Sequence, residues 1–158
     1  MATPQDLDAV VSLRLALLQE EGRSPLFARP RRDLPSRVAD LTALQLSAEG
    51  EITLLAFIGA EAVGILRATC SRGTRLVHPV RYGFLTSAYV RPEHRRLGVL
   101  RRLLARAEAW CRDQGLTEVR LHCTLENLDG NQAWEALGYA PAELVRRRVL
   151  SLQPAVAE

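Results

Sequence analysis

One short stretch of this 158-residue chain gathers residue types suited to anion binding. Arg95 and Arg96, followed by Gly98, fall where a strand-like run gives way to a helix-like one. The first turn of a helix carries backbone N–H groups with no intrahelical acceptor, and the aligned peptide dipoles make that end positive. A glycine there lets an anion approach the backbone, and two guanidinium groups add charge, so the chemistry implied is the holding of a phosphate. Farther along, His122 on the polar face of an alternating run and Glu126 at its end are the side chains suited to accepting a proton. The plainer alternatives are a solvated basic turn, a satisfied histidine and a surface carboxylate. Cys70, Cys111 and Cys123 are odd in number and widely spaced, which reads as free thiols and no metal site.

These residues need elements to position them. Thr3 as N-cap and Pro4 at the first helical position open a helix whose apolar residues Leu7, Val10, Val11, Leu15 and Leu18 recur until Gly22. A Pro- and Arg-rich loop from Arg23 to Pro35 precedes a second helix, from Pro35 or Ser36 to about Ala48. Ile52–Ile58 and Ala62–Cys70 flank a glycine-containing turn and read as a hairpin; Tyr82–Val90 is a third strand, ended by Pro92. A helix from Leu97 or Gly98 to Gln114 carries the apolar stripe Leu100, Leu103, Leu104, Ala107 and Cys111. Glu118–Leu125 alternates as a strand, about Asp129–Leu137 is a short helix, and Leu144–Leu152 reads as a last strand. Without repeats or linkers, residues 1–158 are expected to form a single α/β domain.

The order of elements and two motifs resemble the GNAT superfamily of acetyl-CoA-dependent N-acetyltransferases. Tyr89-Val90-Arg91-Pro92 followed by Arg95-Arg96-Leu97-Gly98-Val99-Leu100 is similar to the family's strand end and the glycine-containing turn that opens its long helix. Asn127 through Gly130, Trp134, and Leu137-Gly138-Tyr139 are similar to its second motif, and Ala62-Val63-Gly64 fits its hairpin. The resemblance covers nearly the whole chain. It implies a GNAT-like α/β (α+β) domain with a central mixed, mostly antiparallel sheet, splayed in the middle and flanked by about four helices. It also implies that the backbone of Ala88, Tyr89 and Val90 pairs with the pantetheine arm of acetyl-CoA. The amides of Arg95, Arg96, Leu97, Gly98, Val99 and Leu100 would hold the pyrophosphate, and Asn127 the pantetheine or thioester end, with CoA as product. Transfer would be direct attack of a primary amine, on a small molecule or a protein, within a ternary complex.

The chain departs from the family pattern in several places. Leu100 stands where Gly or Ala usually keeps the first helical turn open, so its side chain either enters the core or crowds the pyrophosphate. Trp134 stands where a Tyr often serves as acid to the leaving thiolate; an indole N–H donates hydrogen bonds but is no usable acid near neutral pH. The strand Tyr82–Val90 lacks the carboxylate that family members often carry. Glu126 and His122 are then the candidate bases, directly or through water, and Tyr139 or Tyr89 could supply a hydroxyl. The strand that the family places before the first helix is expected to be absent or shortened, leaving an edge that a second copy could cover as a homodimer.

Composition bounds the rest. The chain is 47% hydrophobic and 25% charged, enough for an ordinary core, and it has no apolar run long enough to span a membrane. No secretory signal is visible, so the cytoplasm is the expected location. All 21 basic residues are Arg, which fits GC-rich codon usage, and against 18 acidic residues they leave a net charge of +3. That excess is small for a nucleic-acid binder, and Arg101, Arg102, Arg106 and Arg112 read as the solvated face of an amphipathic helix. If Arg29, Arg31, Arg32, Arg72 and Arg75 face the acceptor groove, they favour an acceptor carrying a carboxylate or phosphate over a polycation. The second functional reading is a catalytically weak or inactive acyl-CoA sensor or partner domain, suggested by Trp134, Leu100 and the missing strand carboxylate.

Overall fold

The structure, a computed structural model, describes residues 1–150. Its N-terminus is fixed by a capping box: the Thr3 backbone N–H and hydroxyl both donate to the Asp6 carboxylate, at 2.8 and 3.0 Å. Those bonds hold the Asp6 carboxyl below its usual range. One 3-10 turn, Pro4–Asp6, leads into α1 (Leu7–Glu21), and α2 (Leu34–Leu46) follows the arginine-rich loop. Arg14 ties the two helices, donating to Thr42 Oγ1 at 2.8 Å and Gln45 Oε1 at 2.6 Å.

Four strands then form one open sheet in the order β1 (Glu51–Ile58), β2 (Glu61–Arg72), β3 (Arg81–Val90), β4 (Val119–Leu121). The first three are antiparallel, and β4 runs parallel to β3 after the crossover through α3 (Val99–Asp113); α4 (Leu128–Ala136) follows. This is the mixed, mostly antiparallel sheet with four helices that the sequence implies.

The two faces of the sheet have different roles. On one, Ile52, Leu54, Leu66 and Leu85 pack against α3 through Leu103, Leu104 and Cys111, with Trp134 of α4 in the same cluster. On the other, Ile65 and Tyr89 pack under Val10 and Leu13 of α1. Each fully buried leucine contributes about 1.5–3 kcal/mol of transfer free energy. Gly64 lets α3 approach closely: a Cβ there would stand 3.1 Å from Val99 Cγ1 and 3.3 Å from Leu103 Cδ1. The start of α3 is thereby seated beside the end of β3.

Two sequence expectations need correction, and a third, the shortened strand before α1, holds. The strand expected over Glu118–Leu125 is regular only from Val119 to Leu121, because β4 is the sheet's last strand and diverges from β3, so later residues have no ladder partner. Leu144–Leu150 is not a strand; these residues are exposed and pair with no neighbour among the described residues. The end of that expected strand, at Leu152, lies outside the described residues. The strand before α1 is reduced to one ladder-like bond, from the Ala2 N–H to the Thr53 carbonyl at 2.7 Å. Among the described residues no helix is long and apolar enough to cross a membrane.

Candidate active site

The site begins with a fault in the sheet. Ile65 pairs with Tyr89 but Arg67 pairs with Thr86, so β3 spends one residue more than β2 over the same span. The extra residue falls at Ser87, whose φ of 52° is left-handed, and this bulge turns the end of the strand. On its other edge β3 is paired with β4 only from Gly83 to Leu85. The Arg91 N–H donates to the Val63 carbonyl at 2.9 Å. By antiparallel alternation Tyr89 therefore directs its backbone groups to β2, while Ala88 and Val90 present theirs to the unpaired edge. Of the three residues expected to pair with pantetheine, Ala88 and Val90 have backbone groups on the unpaired edge. Tyr89 instead lies under α1, buried, with its backbone committed to the sheet.

Just beyond β3 the chain forms a cradle of amides. Arg96 (φ 62°) and Gly98 (φ 76°) are both left-handed, and α3 starts at Val99. Among the described residues, the N–H groups of Arg96, Leu97, Gly98, Val99 and Leu100 have no acceptor. Consecutive amides of this kind at a helix N-terminus form an anion-binding concavity. The Leu100 side chain packs against the α3 core cluster, which leaves the cradle open. Arg95 is less free than its position suggests. Its Nε donates to the Val90 carbonyl at 2.9 Å, and its Nη2 is shared between both oxygens of Glu20, at 2.9 and 2.7 Å. By accepting these bonds Glu20 raises the Arg95 pKa. Arg96, by contrast, has no ion-pair partner among the described residues.

Across the splay, Asn127 caps α4 by accepting from the Gly130 N–H at 2.9 Å, and its Nδ2 donates to Glu21 at 3.2 Å. A Cβ on residue 130 would fall 2.6 Å from the Asn127 side chain, so the glycine allows this tight cap. Thr124 Oγ1 donates to the other Glu21 oxygen at 3.2 Å. Trp134 is buried in the core, with its ring edge-on to Tyr139 at 5.4 Å. The Tyr139 hydroxyl donates to Glu108 of α3 at 3.0 Å, and burial and that carboxylate push its pKa well up. It is turned into α3 and not into the cleft, which corrects the expectation that it could act there. His122 lies past β4 with its ring edge-on to Phe84 at 5.0 Å, on the α1 side of the sheet, and is exposed. Glu126 is exposed in the turn before α4.

A cavity of about 290 Å³ opens between α1, α2 and the bulge. Leu17, Leu18, Val38 and Leu41 form apolar walls; Ser87, Arg14 and Arg37 supply its polar groups. Neither His122 nor Glu126 lines it, nor does any of the loop arginines that the sequence suggested. Behind it, Arg67 donates to Thr86 Oγ1 at 3.2 Å and pairs with Glu51, while its Nε is buried without a partner. Burial first, and Arg14 second, push the Arg67 pKa down to about 10, so it stays cationic at neutral pH.

Sequence reasoning missed Ser87, Arg14, Arg37, Glu20 and Glu21. For the two glutamates a signal existed. Two carboxylates in the last turn of α1 oppose the helix dipole, and such a placement calls for cationic or donor partners elsewhere. Those partners are Arg95 and Asn127.

The acetyltransferase (GNAT) family model matches residues 15–139. Over 157 residues the chain is 34% identical to an aminoglycoside N(6')-acetyltransferase type 1 of Stenotrophomonas maltophilia, covering 97% of this chain and 92% of that one. An apo aminoglycoside 6'-N-acetyltransferase from Acinetobacter haemolyticus superposes with a TM-score of 0.76, at 23% identity over 96% of this chain and 97% of that one. The enzyme AAC(6')-Iy, solved with the bisubstrate analogue CoA-S-monomethyl-acetylneamine, superposes at 0.72, with 20% identity over 96% of this chain and 95% of that one. With the splayed strand, the amide cradle and the matched family model in agreement, the chain belongs to the GNAT family of acetyltransferases.

Proposed function

We propose that this chain, acting as one domain, transfers the acetyl group of acetyl-CoA to the amine of a small molecule. The observation that carries this reading is the adjacency of two unsatisfied backbone surfaces. The open edge at Ala88 and Val90 runs directly into the unaccepted amides of Arg96–Leu100. An extended amide-bearing arm attached to a pyrophosphate fits both together, and a CoA-containing analogue binds the structural relative AAC(6')-Iy. That the 34% identical relative is an N-acetyltransferase favours transfer over the sensor reading.

Acetyl-CoA supplies an activated acyl group on a sulfur leaving group; the chain's own residues supply placement and proton handling. Ala88 and Val90 would hold the arm as an added strand, and the amides from Arg96 to Leu100 would hold the phosphates, with Gly98 allowing close approach. Arg95 fixes the Val90 carbonyl and takes its charge to Glu20, so its part is to brace the strand end. Asn127 and Trp134 would wall the thioester end. The amine would lie at Ser87, and its proton would pass through water to His122 or Glu126 on the exposed side. Tyr139 serves as packing, because its hydroxyl is committed to Glu108.

Three free thiols and the use of acetyl-CoA support the cytoplasm as location. Exposed Phe57 and Ile58 at the end of edge strand β1 support a homodimer. Calorimetry with acetyl-CoA, followed by free-thiol release with a panel of amines, tests the function. Saturable binding and amine-dependent thiol release are expected; a protein that binds no acetyl-CoA overturns the reading.

A further inference from the structure

We propose that the acceptor is a small, largely apolar amine carrying one anionic group, such as an amino carboxylate, and not a polycation. The inference rests on the transfer reading above and concerns the cavity at the bulge. Its walls are leucine and valine, its charged side chains are both arginines, and no carboxylate lines it. At about 290 Å³ it lies just below the roughly 300–1,000 Å³ usual for small-molecule sites, a size suited to one compact acceptor.

The charge balance points the same way. Arg14 is half-buried, and its two protein partners, Thr42 and Gln45, are neutral. A guanidinium removed from water without a counter-charge is costly, and a bound anion would satisfy it. Arg67 stands close enough to Arg14 for its charge to be disfavoured, and Glu51 is the carboxylate paired with it. Three acids on the flanking elements are engaged elsewhere. Asp33 bonds Arg31 and Arg37, Glu20 holds Arg95, and Glu21 accepts from Asn127 and Thr124. No lining side chain is an acid that could receive the several ammonium groups of a polycation. Ser87 and Arg14 line the same cavity, so an amine at the β3 edge can place its anionic group against Arg14.

The test compares thiol release with leucine, its amide leucinamide and the polycation kanamycin, for the wild type, Arg14→Gln and Arg14→Lys. Melting curves of each variant separate loss of the α1–α2 tie from loss of recognition. The expected result is a kcat/KM for leucine at least about tenfold above that for leucinamide, expressed in KM. Arg14→Gln should abolish that preference, and Arg14→Lys should restore part of it. Equal use of leucine and leucinamide, or preference for kanamycin, overturns the acceptor proposal while leaving acetyl transfer standing. If acetyl-CoA binds but none of the three amines releases thiol, the acceptor proposal falls and the transfer reading is challenged on its own. If acetyl-CoA does not bind, both fall.

Discussion

Replacing Gly98 with Ala tests the amide cradle with little interference from packing. Gly98 holds a φ of 76°, and a Cβ there would meet nothing within 4 Å, so the substitution creates no clash in the free protein. Its cost is conformational: the left-handed region disfavours an L-residue by about 1–2 kcal/mol. The N–H groups around Gly98 are bonded to nothing in the chain and only its carbonyl is held, by the Arg102 N–H at 3.1 Å, so the free variant relaxes at the cost of at most that first α3 bond and loses little stability. Binding then has to restore the left-handed turn, and 1–2 kcal/mol corresponds to about a 5- to 30-fold rise in Kd for acetyl-CoA. Gly59→Ala is the matched control. Gly59 has a φ of 59° and equally open space, but it lies in the β1–β2 hairpin, held by the Ile58–Glu61 pairing. There the same strain cannot relax, so Tm should fall by roughly 2–8 °C with acetyl-CoA affinity unchanged. Calorimetry and thermal melts on both variants read the two quantities. A Gly98→Ala protein that binds acetyl-CoA within about twofold of wild type, or a Gly59→Ala protein weakened just as much, would refute the placement of the cradle.

Three further outcomes follow from the same geometry. Tyr139→Phe removes the bond to Glu108 and should cost about 1 kcal/mol in urea unfolding while leaving kcat/KM near wild type. Since the folded Tyr139 pKa lies above the ordinary value of about 10, the stability it contributes is complete below that pH and is lost as pH rises beyond it. The Phe variant should therefore lose less stability than wild type on the alkaline side, as read from urea midpoints at about pH 8 and about pH 10.5. Trp134→Ala should destabilise by about 3–5 kcal/mol, visible as a large shift in urea midpoint, because the side chain fills the cluster between α3 and α4. Glu20→Gln removes a carboxylate beside the anion site, so acetyl-CoA should bind up to about fivefold more tightly, with the gain shrinking as salt is added.

Local chemistry made much of this molecule readable before any coordinates. The Thr3–Pro4 helix start, the turn at Gly59, the stop at Gly115 and the stripe on α3 each declare themselves within a few residues, and the structure keeps them. Gly98 marks the cradle for the same reason. What stayed hidden depends on partners distant in the chain. The bulge at Ser87 exists only relative to the register of β2, and the early end of β4 only relative to the path of β3. Arg95 looked free for phosphate until Glu20, 75 residues earlier, proved to hold it. Arg14, absent from the sequence argument, reaches the cavity because α2 packs across α1. The alternating run after Leu121 has the pattern of a strand but no neighbour to pair with. Periodicity reports which face could be buried, while pairing decides whether a ladder forms.

The unpaired edge of β3 has a consequence for handling the protein. An extended backbone with open donors and acceptors is a template for any peptide in solution, and most sheets blunt such edges with charge, proline or a cover. Here the edge lies within the molecule, between β3 and the departing β4, where bulk shields it only in part. Acetyl-CoA, the ligand proposed for the cleft, would also be its cover. Vacant protein would then be the aggregation-prone form, and supplying CoA during purification should raise the yield of monodisperse material even where no reaction is under way.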